Sequence, residues 1–236
     1  MRRPYAAPLR SLLFGACIIA SAATAVAAEN WPGWRGPRGD GTSEEAEVPV
    51  QWNGISGENV AWKTPIPGVG HSSPIVWEDR VFVVSCLPEQ QERVLVCLDR
   101  RDGKKVWQQT VVKAPLERKH NLNSFASGTP VTDGKLVYVS FLEADFGSTT
   151  DRTPGNMVVA AYDFAGEQKW IVKPGRFASV HGFCSSPILF EDLLIVNGDH
   201  DGDSYLLALE SQTGKMRWKV PREHKTRSYV TPIIRE

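Results

Sequence analysis

Three carboxylates alternate along one short polar stretch of the sequence and could bind a metal. Asp199, Asp201 and Asp203 stand at every second position between residues 197 and 203, and Ca²⁺ prefers several oxygen ligands. The usual calcium loop is absent, because Gly202 stands at the wrong position and no glutamate follows at the required spacing. Aspartate and glycine at this density are equally typical of a hairpin turn. A calcium site and a turn both remain open here.

A second group of polar residues precedes four apolar runs that each begin with a proline. The prolines are Pro74, Pro130, Pro187 and Pro232. The residues before them that could contact a ligand are His71, Ser72, Asn123, Ser124, His181, Arg227 and Tyr229. The two histidines could act as bases or as ligands. The alternative is that the whole group caps turns or lines a water-filled channel.

A third group consists of acidic residues and tryptophans that recur once in each repeated unit. Each proline-led run is followed by a β-rich run and then by a third run that ends in an acidic residue, which is Asp99, Asp163 or Glu210. A glycine turn and a tryptophan close each unit, and the tryptophans are Trp62, Trp107, Trp170 and Trp218. We expect each carboxylate to accept hydrogen bonds within its own turn. The tryptophans are expected to fill the space between neighbouring units.

The elements that position these residues are short strands separated by turn signals. No useful helical period occurs after residue 60, and each unit contains four apolar or β-branched runs. This pattern predicts an all-β fold, a β-propeller of four-stranded antiparallel blades. The chain then holds three complete blades, preceded by a single strand over residues 59–64 and followed by one over residues 233–234. We expect the missing blades in the rest of a longer chain.

Residues 1–28 have the pattern of a secretory signal peptide. Arg2, Arg3 and Arg10 precede an apolar stretch, and small residues end it. This predicts export to the periplasm or the extracellular space, with an extended segment over residues 29–58 and an incomplete propeller over 59–236. The sequence before Cys17 is a poor lipobox, so lipid anchoring there is not expected. No later apolar run is long enough to span a membrane.

Composition excludes several classes of protein. The chain has 27 Lys and Arg against 27 Asp and Glu, and 42% of its residues are hydrophobic. These values argue against a disordered chain and against a basic nucleic-acid binder. After residue 28 the cysteines are Cys86, Cys97 and Cys184, an odd number that cannot form a complete disulfide framework, and we expect three buried free thiols.

The closing part of the repeat resembles a known family. Residues 98–107 and 209–218 run from leucine and an acidic residue through Gly-Lys to tryptophan, and they resemble the tryptophan-docking repeat of the pyrroloquinoline-quinone-like (PQQ-like) β-propeller superfamily. Residues 163–166 of the middle unit are one residue short of that pattern. The stretch 31–37, Trp-Pro-Gly-Trp-Arg-Gly-Pro, is similar to the opening of exported members. The resemblance implies a non-catalytic binding or assembly scaffold whose partner is a protein or a small polar ligand.

The same resemblance implies a second function, a fragment of a quinoprotein alcohol or sugar dehydrogenase with PQQ and calcium as cofactors. Such enzymes need an aromatic floor under the quinone, an arginine, a catalytic aspartate and, in many relatives, an adjacent Cys-Cys pair. This chain has no Cys-Cys pair. No catalytic residue is therefore assigned, and whether the protein is an enzyme stays open.

Overall fold

The computed structural model describes residues 29–147, 152–225 and 227–235. The predicted signal peptide over residues 1–28, including Cys17, lies outside them. The described residues form twelve β-strands in three four-stranded antiparallel sheets, and no helix occurs among them. The predicted all-β architecture of four-stranded blades is confirmed.

Each blade is built from four consecutive strands. Blade 1 contains β1 (Ile75–Trp77), β2 (Arg80–Leu87), β3 (Glu92–Asp99) and β4 (Lys105–Lys113). Blade 2 contains β5 (Val131–Thr132), β6 (Leu136–Ala144), β7 (Thr153–Asp163) and β8 (Gln168–Ser179). Blade 3 contains β9 (Ile188–Phe190), β10 (Leu193–Gly198), β11 (Tyr205–Glu210) and β12 (Met216–Pro221). In each sheet the strands pair in chain order.

One row of directly paired residues crosses every blade from its first strand to its fourth. In blade 1 the row is Ile75, Phe82, Cys97 and Trp107. Its equivalents are Val131, Tyr138, Ala161 and Trp170 in blade 2, and Ile188, Ile195, Ala208 and Trp218 in blade 3. A bulge follows the third residue of the row in all three blades. The sequence repeat is therefore also a repeat in strand register.

The core lies between successive blades. Phe82 of blade 1 packs in one buried cluster with Val137 and Val158 of blade 2. Tyr138 of blade 2 packs in a second cluster with Leu194 and Leu207 of blade 3. Because a single sheet cannot bury both of its apolar faces, each blade depends on its neighbours for stability.

Three tryptophans join each unit to the turn of the next. The indole Nε1 of Trp62 donates to Arg100 O (2.7 Å), that of Trp107 to Phe164 O (2.9 Å) and that of Trp170 to Ser211 O (2.8 Å). Each ring lies against the glycine of that turn, which has a positive φ of 70° at Gly103, 88° at Gly166 and 72° at Gly214. Only glycine fits this position, because a Cβ would collide with the indole and L-residues avoid this backbone conformation.

Two predicted strands are absent from the structure. Residues 59–64 and 233–234 carry no strand, so both predictions were wrong. The apolar pattern of residues 59–64 arises from side-chain docking: Trp62 contacts the blade 1 turn, and Thr64 Oγ1 donates to Gly103 O (2.6 Å). Neither stretch is hydrogen-bonded to a strand of the three described sheets.

The segment that begins at residue 29 crosses the inner strands of two blades. Trp31 pairs with Val76 of β1 through two backbone hydrogen bonds of 2.8 and 2.9 Å. Pro32 O then accepts the amide of Thr132 in β5 (2.9 Å). This segment therefore connects blades 1 and 2 at their innermost edges.

The three cysteines within the described residues are free thiols, as predicted. Cys86 and Cys97 are buried, but Cys184 is partly exposed, so the prediction that it is buried was wrong. Burial raises the pKa of Cys86 to about 11 and that of Cys97 to about 12. A thiol with so high a pKa is a poor nucleophile at neutral pH.

As to membrane insertion, none of the described residues form a long apolar helix of membrane-spanning length.

Candidate functional site

A cavity of about 440 Å³ lies where the segments that precede β5 and β9 meet the chain after β12. It is lined by His120, Leu122, Asn123, His181, Cys184 and Tyr229. Three of the predicted ligand-contacting residues, Asn123, His181 and Tyr229, are thus brought together. His120 and Leu122 were not predicted to contact a ligand.

Asn123 holds two walls of the cavity together. Its Nδ2 donates to His181 O (2.7 Å), and its Oδ1 accepts from Ser124 N (2.8 Å) and Ser127 Oγ (2.7 Å). His120 N also donates to His181 O (3.3 Å). With its amide oxygen and nitrogen both engaged, Asn123 positions the loop. Ser124 is buried beneath it.

A buried ion pair anchors the loop that carries His120 and Asn123. Arg93 of β3 is fully buried and donates to Ala114 O (2.6 Å), Pro115 O (2.9 Å) and Glu117 Oε2 (2.5 Å). Burial raises the pKa of Glu117, and the guanidinium beside it opposes that change. Sequence reasoning missed this pair; the available signal was an arginine within the apolar run of β3.

His181 and Tyr229 form the polar centre of the cavity. His181 Nδ1 lies 2.7 Å from Tyr229 Oη, which is also 3.2 Å from Ser179 Oγ. The ring of His120 meets that of His181 edge to face, with centroids 5.5 Å apart. Burial raises the pKa of Tyr229, so the phenol keeps its proton and can donate it to the imidazole.

The remaining predicted channel residues lie elsewhere. His71 is exposed, and the backbone amides of His71 and Ser72 donate to Ala126 O (2.9 and 3.2 Å) at the junction of blades 1 and 2. Ser72 Oγ donates to Val84 O (3.3 Å). Arg227 pairs with the buried carboxylate of Asp201. These contacts are structural, and none of the three lines the cavity.

The three carboxylates of the acidic stretch 199–203 each pair with a different basic side chain of the chain after β12. Asp199 pairs with Arg222 (3.3 Å), Asp203 with Lys225 (2.8 Å) and Asp201 with Arg227, while Asp201 also lies 3.8 Å from Arg152. In the part of the chain that the structure describes, no three His, Cys, Asp or Glu side chains are grouped to hold a metal ion. The pairs instead attach the chain after β12 to the β10–β11 turn. Calcium binding here stays a prediction.

His200 is buried at the centre of that turn. Its Nδ1 accepts the amide of Gly202 (2.9 Å), whereas its Nε2 has no hydrogen-bond partner among the described residues. Burial lowers the pKa of His200 and raises the pKa of the adjacent Asp199. The turn therefore keeps a neutral imidazole inside the fold.

The acidic residues of the repeat accept hydrogen bonds within their own turns. Asp99 Oδ1 accepts the amide of Arg101 (2.8 Å), and Asp163 Oδ1 accepts those of Ala165 (3.0 Å) and Glu167 (2.9 Å). In blade 3, Glu210 Oε2 accepts the hydroxyl of Thr213 (2.9 Å). The hydrogen bond from Arg101 keeps the pKa of Asp99 well below its usual value.

Comparison with known proteins identifies the family. The family model described as outer membrane protein assembly factor BamB matches residues 48–144 and 90–235. No curated protein matches the chain.

Solved structures with a similar fold include two dehydrogenases and one BamB protein. A quinohemoprotein alcohol dehydrogenase from Pseudomonas putida HK5 is 18% identical over 68% of this chain and 22% of its own, with a TM-score of 0.48. The quinohemoprotein alcohol dehydrogenase from Comamonas testosteroni is 20% identical over 63% and 27%, with a TM-score of 0.40. BamB from Moraxella catarrhalis is 15% identical over 71% and 55%, with a TM-score of 0.33. The chain spans about a quarter of the two dehydrogenases and about half of the BamB structure.

Proposed function

We propose that this chain, which belongs to the family of the outer membrane protein assembly factor BamB, is an exported β-propeller scaffold that binds a protein partner without catalysing a reaction. The observation that carries the proposal is the family match, which extends through all three blades. Export through a signal peptide over residues 1–28 is part of the proposal. Mature protein recovered outside the cytoplasm should begin near Glu29.

The cavity at His181 supports a binding role. Leu122 offers an apolar surface, while the two imidazoles and the phenol of Tyr229 offer polar edges. Such a mixture suits a side chain or small molecule with both apolar and polar parts. The Asn123 bonds and the Arg93–Glu117 pair preform the cavity, so little ordering is needed on binding.

Further blades are also proposed. Trp62, Trp107 and Trp170 each dock on the turn that closes the next blade. Trp218 occupies the equivalent place in blade 3, and no turn among the described residues receives its indole. A fourth blade with a glycine turn would complete this contact.

The competing proposal is a quinoprotein dehydrogenase fragment that uses PQQ and calcium. The described carboxylates do not form a donor set that fits calcium, because Asp199, Asp201 and Asp203 are each paired with a different basic side chain. These three residues therefore lend the dehydrogenase proposal no support.

One experiment separates the two proposals. The full-length protein is incubated with PQQ and Ca²⁺, and quinone absorbance and dye-linked alcohol oxidation are measured. The scaffold proposal expects neither an absorbance shift nor oxidation. A bound quinone together with alcohol-dependent dye reduction would overturn it and establish the enzyme.

A further inference from the structure

An apolar hairpin outside the blades presents its largest side chains to solvent. We define the apolar hairpin as residues 47–61, in which Asn53 and Glu58 form an antiparallel bridge. Trp52 at its base is 70% exposed, and Ile55 at its tip is 100% exposed. Val48 and Val50 are exposed as well. Clustered exposed apolar side chains of this size mark interaction sites.

The apolar hairpin is held in shape by its own hydrogen bonds. Asn53 Oδ1 accepts the amides of Ile55 (2.9 Å) and Ser56 (3.1 Å), and Asn53 N donates to Glu58 O (3.0 Å). Asn59 Nδ2 donates to Gln51 O (2.9 Å) and so ties the two limbs together. Binding to a preformed surface costs little conformational entropy. The exposure of Trp52 and Ile55 is thus fixed by the local structure.

A groove runs between the two limbs. It has a volume of about 880 Å³ and is lined by residues 47–51 and by Gly57 and residues 59–61. Val48 and Val50 form one side, and Val60 and Ala61 form the other. The groove offers room for an apolar side chain of a partner beside the exposed tip.

The charged side chains within the apolar hairpin, those of Glu47 and Glu58, have one sign. Between Arg38 and Lys63 every charged residue is acidic, and these are Asp40, Glu44, Glu45, Glu47 and Glu58. Neither Glu47 nor Glu58 forms an ion pair with any described residue. An anionic membrane surface, a nucleic acid or a second acidic hairpin would be repelled. A surface with lysine or arginine beside apolar side chains is complementary.

We propose that the apolar hairpin is a docking site for a basic, amphipathic segment of a partner protein. The partner's apolar side chains would cover Trp52, Ile55 and the groove, while its basic side chains would face Glu47 and Glu58. The inference deepens the proposed scaffold function by naming the chemistry of the partner. It rests on that function, but its test uses a different readout from the quinone experiment.

The test measures binding of two fluorescently labelled amphipathic peptides to the full chain by anisotropy. One peptide is built from leucine and lysine, and the other has glutamate in place of lysine. We expect the lysine peptide alone to bind, with an affinity that falls as salt is raised. The double variant Trp52→Ser, Ile55→Ser should weaken binding about tenfold or more, because buried tryptophans dominate interface energies.

Matched variants make the result decisive. Phe146→Ser removes an equally exposed aromatic residue (85% exposed) outside the apolar hairpin and should leave binding unchanged. Glu47→Gln with Glu58→Gln should reduce the salt dependence. Circular dichroism checks that each variant is folded, which we expect because all of these side chains lie at the surface.

Three results would overturn the proposal. One is equal binding by the double variant and the Phe146→Ser control. Another is equal binding of the glutamate peptide. The third is a concentration-dependent dimer in sedimentation that Ile55→Ser abolishes, since the occupant would then be a second copy. Each of these leaves the quinone result untouched, so the two proposals can fail separately.

Discussion

Side chains at equivalent positions of the repeat differ in burial and in hydrogen bonding. Trp170 is 8% exposed and donates to Ser211 O, whereas Trp218 is only partly buried and has no acceptor among the described residues. Sequence revealed the shared position, because the glycine and tryptophan recur together. It could not reveal the difference, because burial of an indole depends on whether the next turn is packed against it.

Trp170→Ala should lower the free energy of unfolding by roughly 3–5 kcal/mol, the usual cost of emptying a buried aromatic site. The loss combines the packing of the blade 2–blade 3 core with the hydrogen bond to Ser211. Urea unfolding followed by circular dichroism measures it. Trp218→Ala is the matched control and should cost much less. Equal losses would show that Trp218 is as well packed as Trp170.

His200 makes stability depend on pH. Burial lowers its pKa, so on acidification the unfolded chain binds a proton at this position before the folded protein does. The protein should therefore lose stability as the pH falls through the ordinary histidine pKa, between about pH 7 and about pH 5. The pKa of Asp199 is raised, which acts in the opposite sense, so the prediction concerns the contribution of His200 alone.

Thermal unfolding of His200→Gln across this pH range tests the assignment. The variant should lose less stability on acidification than the parent protein. His224→Gln replaces an exposed histidine and should follow the parent curve. If both variants behave alike, the acid sensitivity arises elsewhere.

At the scale of elements, the repeat decided how much could be predicted. The prolines, glycines and tryptophans recur at fixed places, so the four-stranded blades and their order followed from sequence. The cavity could be predicted only in part: Asn123, His181 and Tyr229 were found because they precede blade strands. His120, Leu122 and the Arg93–Glu117 anchor were missed, because their placement depends on a loop without a repeat signal.

Residues 59–64 look like a strand because docking and pairing both favour apolar, alternating side chains.

The closing turn of blade 3 allows a direct test of docking. Gly214→Ala places a Cβ at 2.7 Å from the ring of Trp170 and strains a positive φ of 72°. Gly41→Ala imposes similar strain at a φ of 84°, but with nothing within 4 Å of the new Cβ. We expect about 1–2 kcal/mol of destabilisation at Gly41 from the backbone alone. At Gly214 a further 1–3 kcal/mol or so should come from overpacking. Chemical unfolding of both variants measures the difference, and equal values would contradict a tight indole contact.

At the scale of the whole molecule, the N-terminal segment joins blades 1 and 2 at their first strands. Trp31 pairs with Val76 of β1, and Pro32 O accepts the amide of Thr132 in β5. The molecule also carries the two surfaces that we propose bind partners, the cavity at His181 and the apolar hairpin. Two such surfaces would suit the proposed scaffold function, because one molecule could then bind two partners.

Removal of residues 29–35 should loosen the inner edge of blades 1 and 2. The amides of Val76 and Thr132 lose their acceptors, Trp31 O and Pro32 O, and should exchange with solvent much faster. Hydrogen exchange measured by NMR reports on both residues. The amide of Leu207, in the interior of blade 3, is the control and should keep its protection. Unchanged exchange at Thr132 would show that the segment contributes nothing to the junction.

Each of the three docked tryptophans precedes, in the sequence, the turn on which its indole docks. A ribosome releases Trp62 before the turn at Gly103, Trp107 before Gly166 and Trp170 before Gly214. The closing turn of each blade supplies the carbonyl acceptor for the indole that precedes it in the chain. Emergence of the chain from its N-terminus, at the ribosome or during export, therefore presents each indole before the turn that receives it.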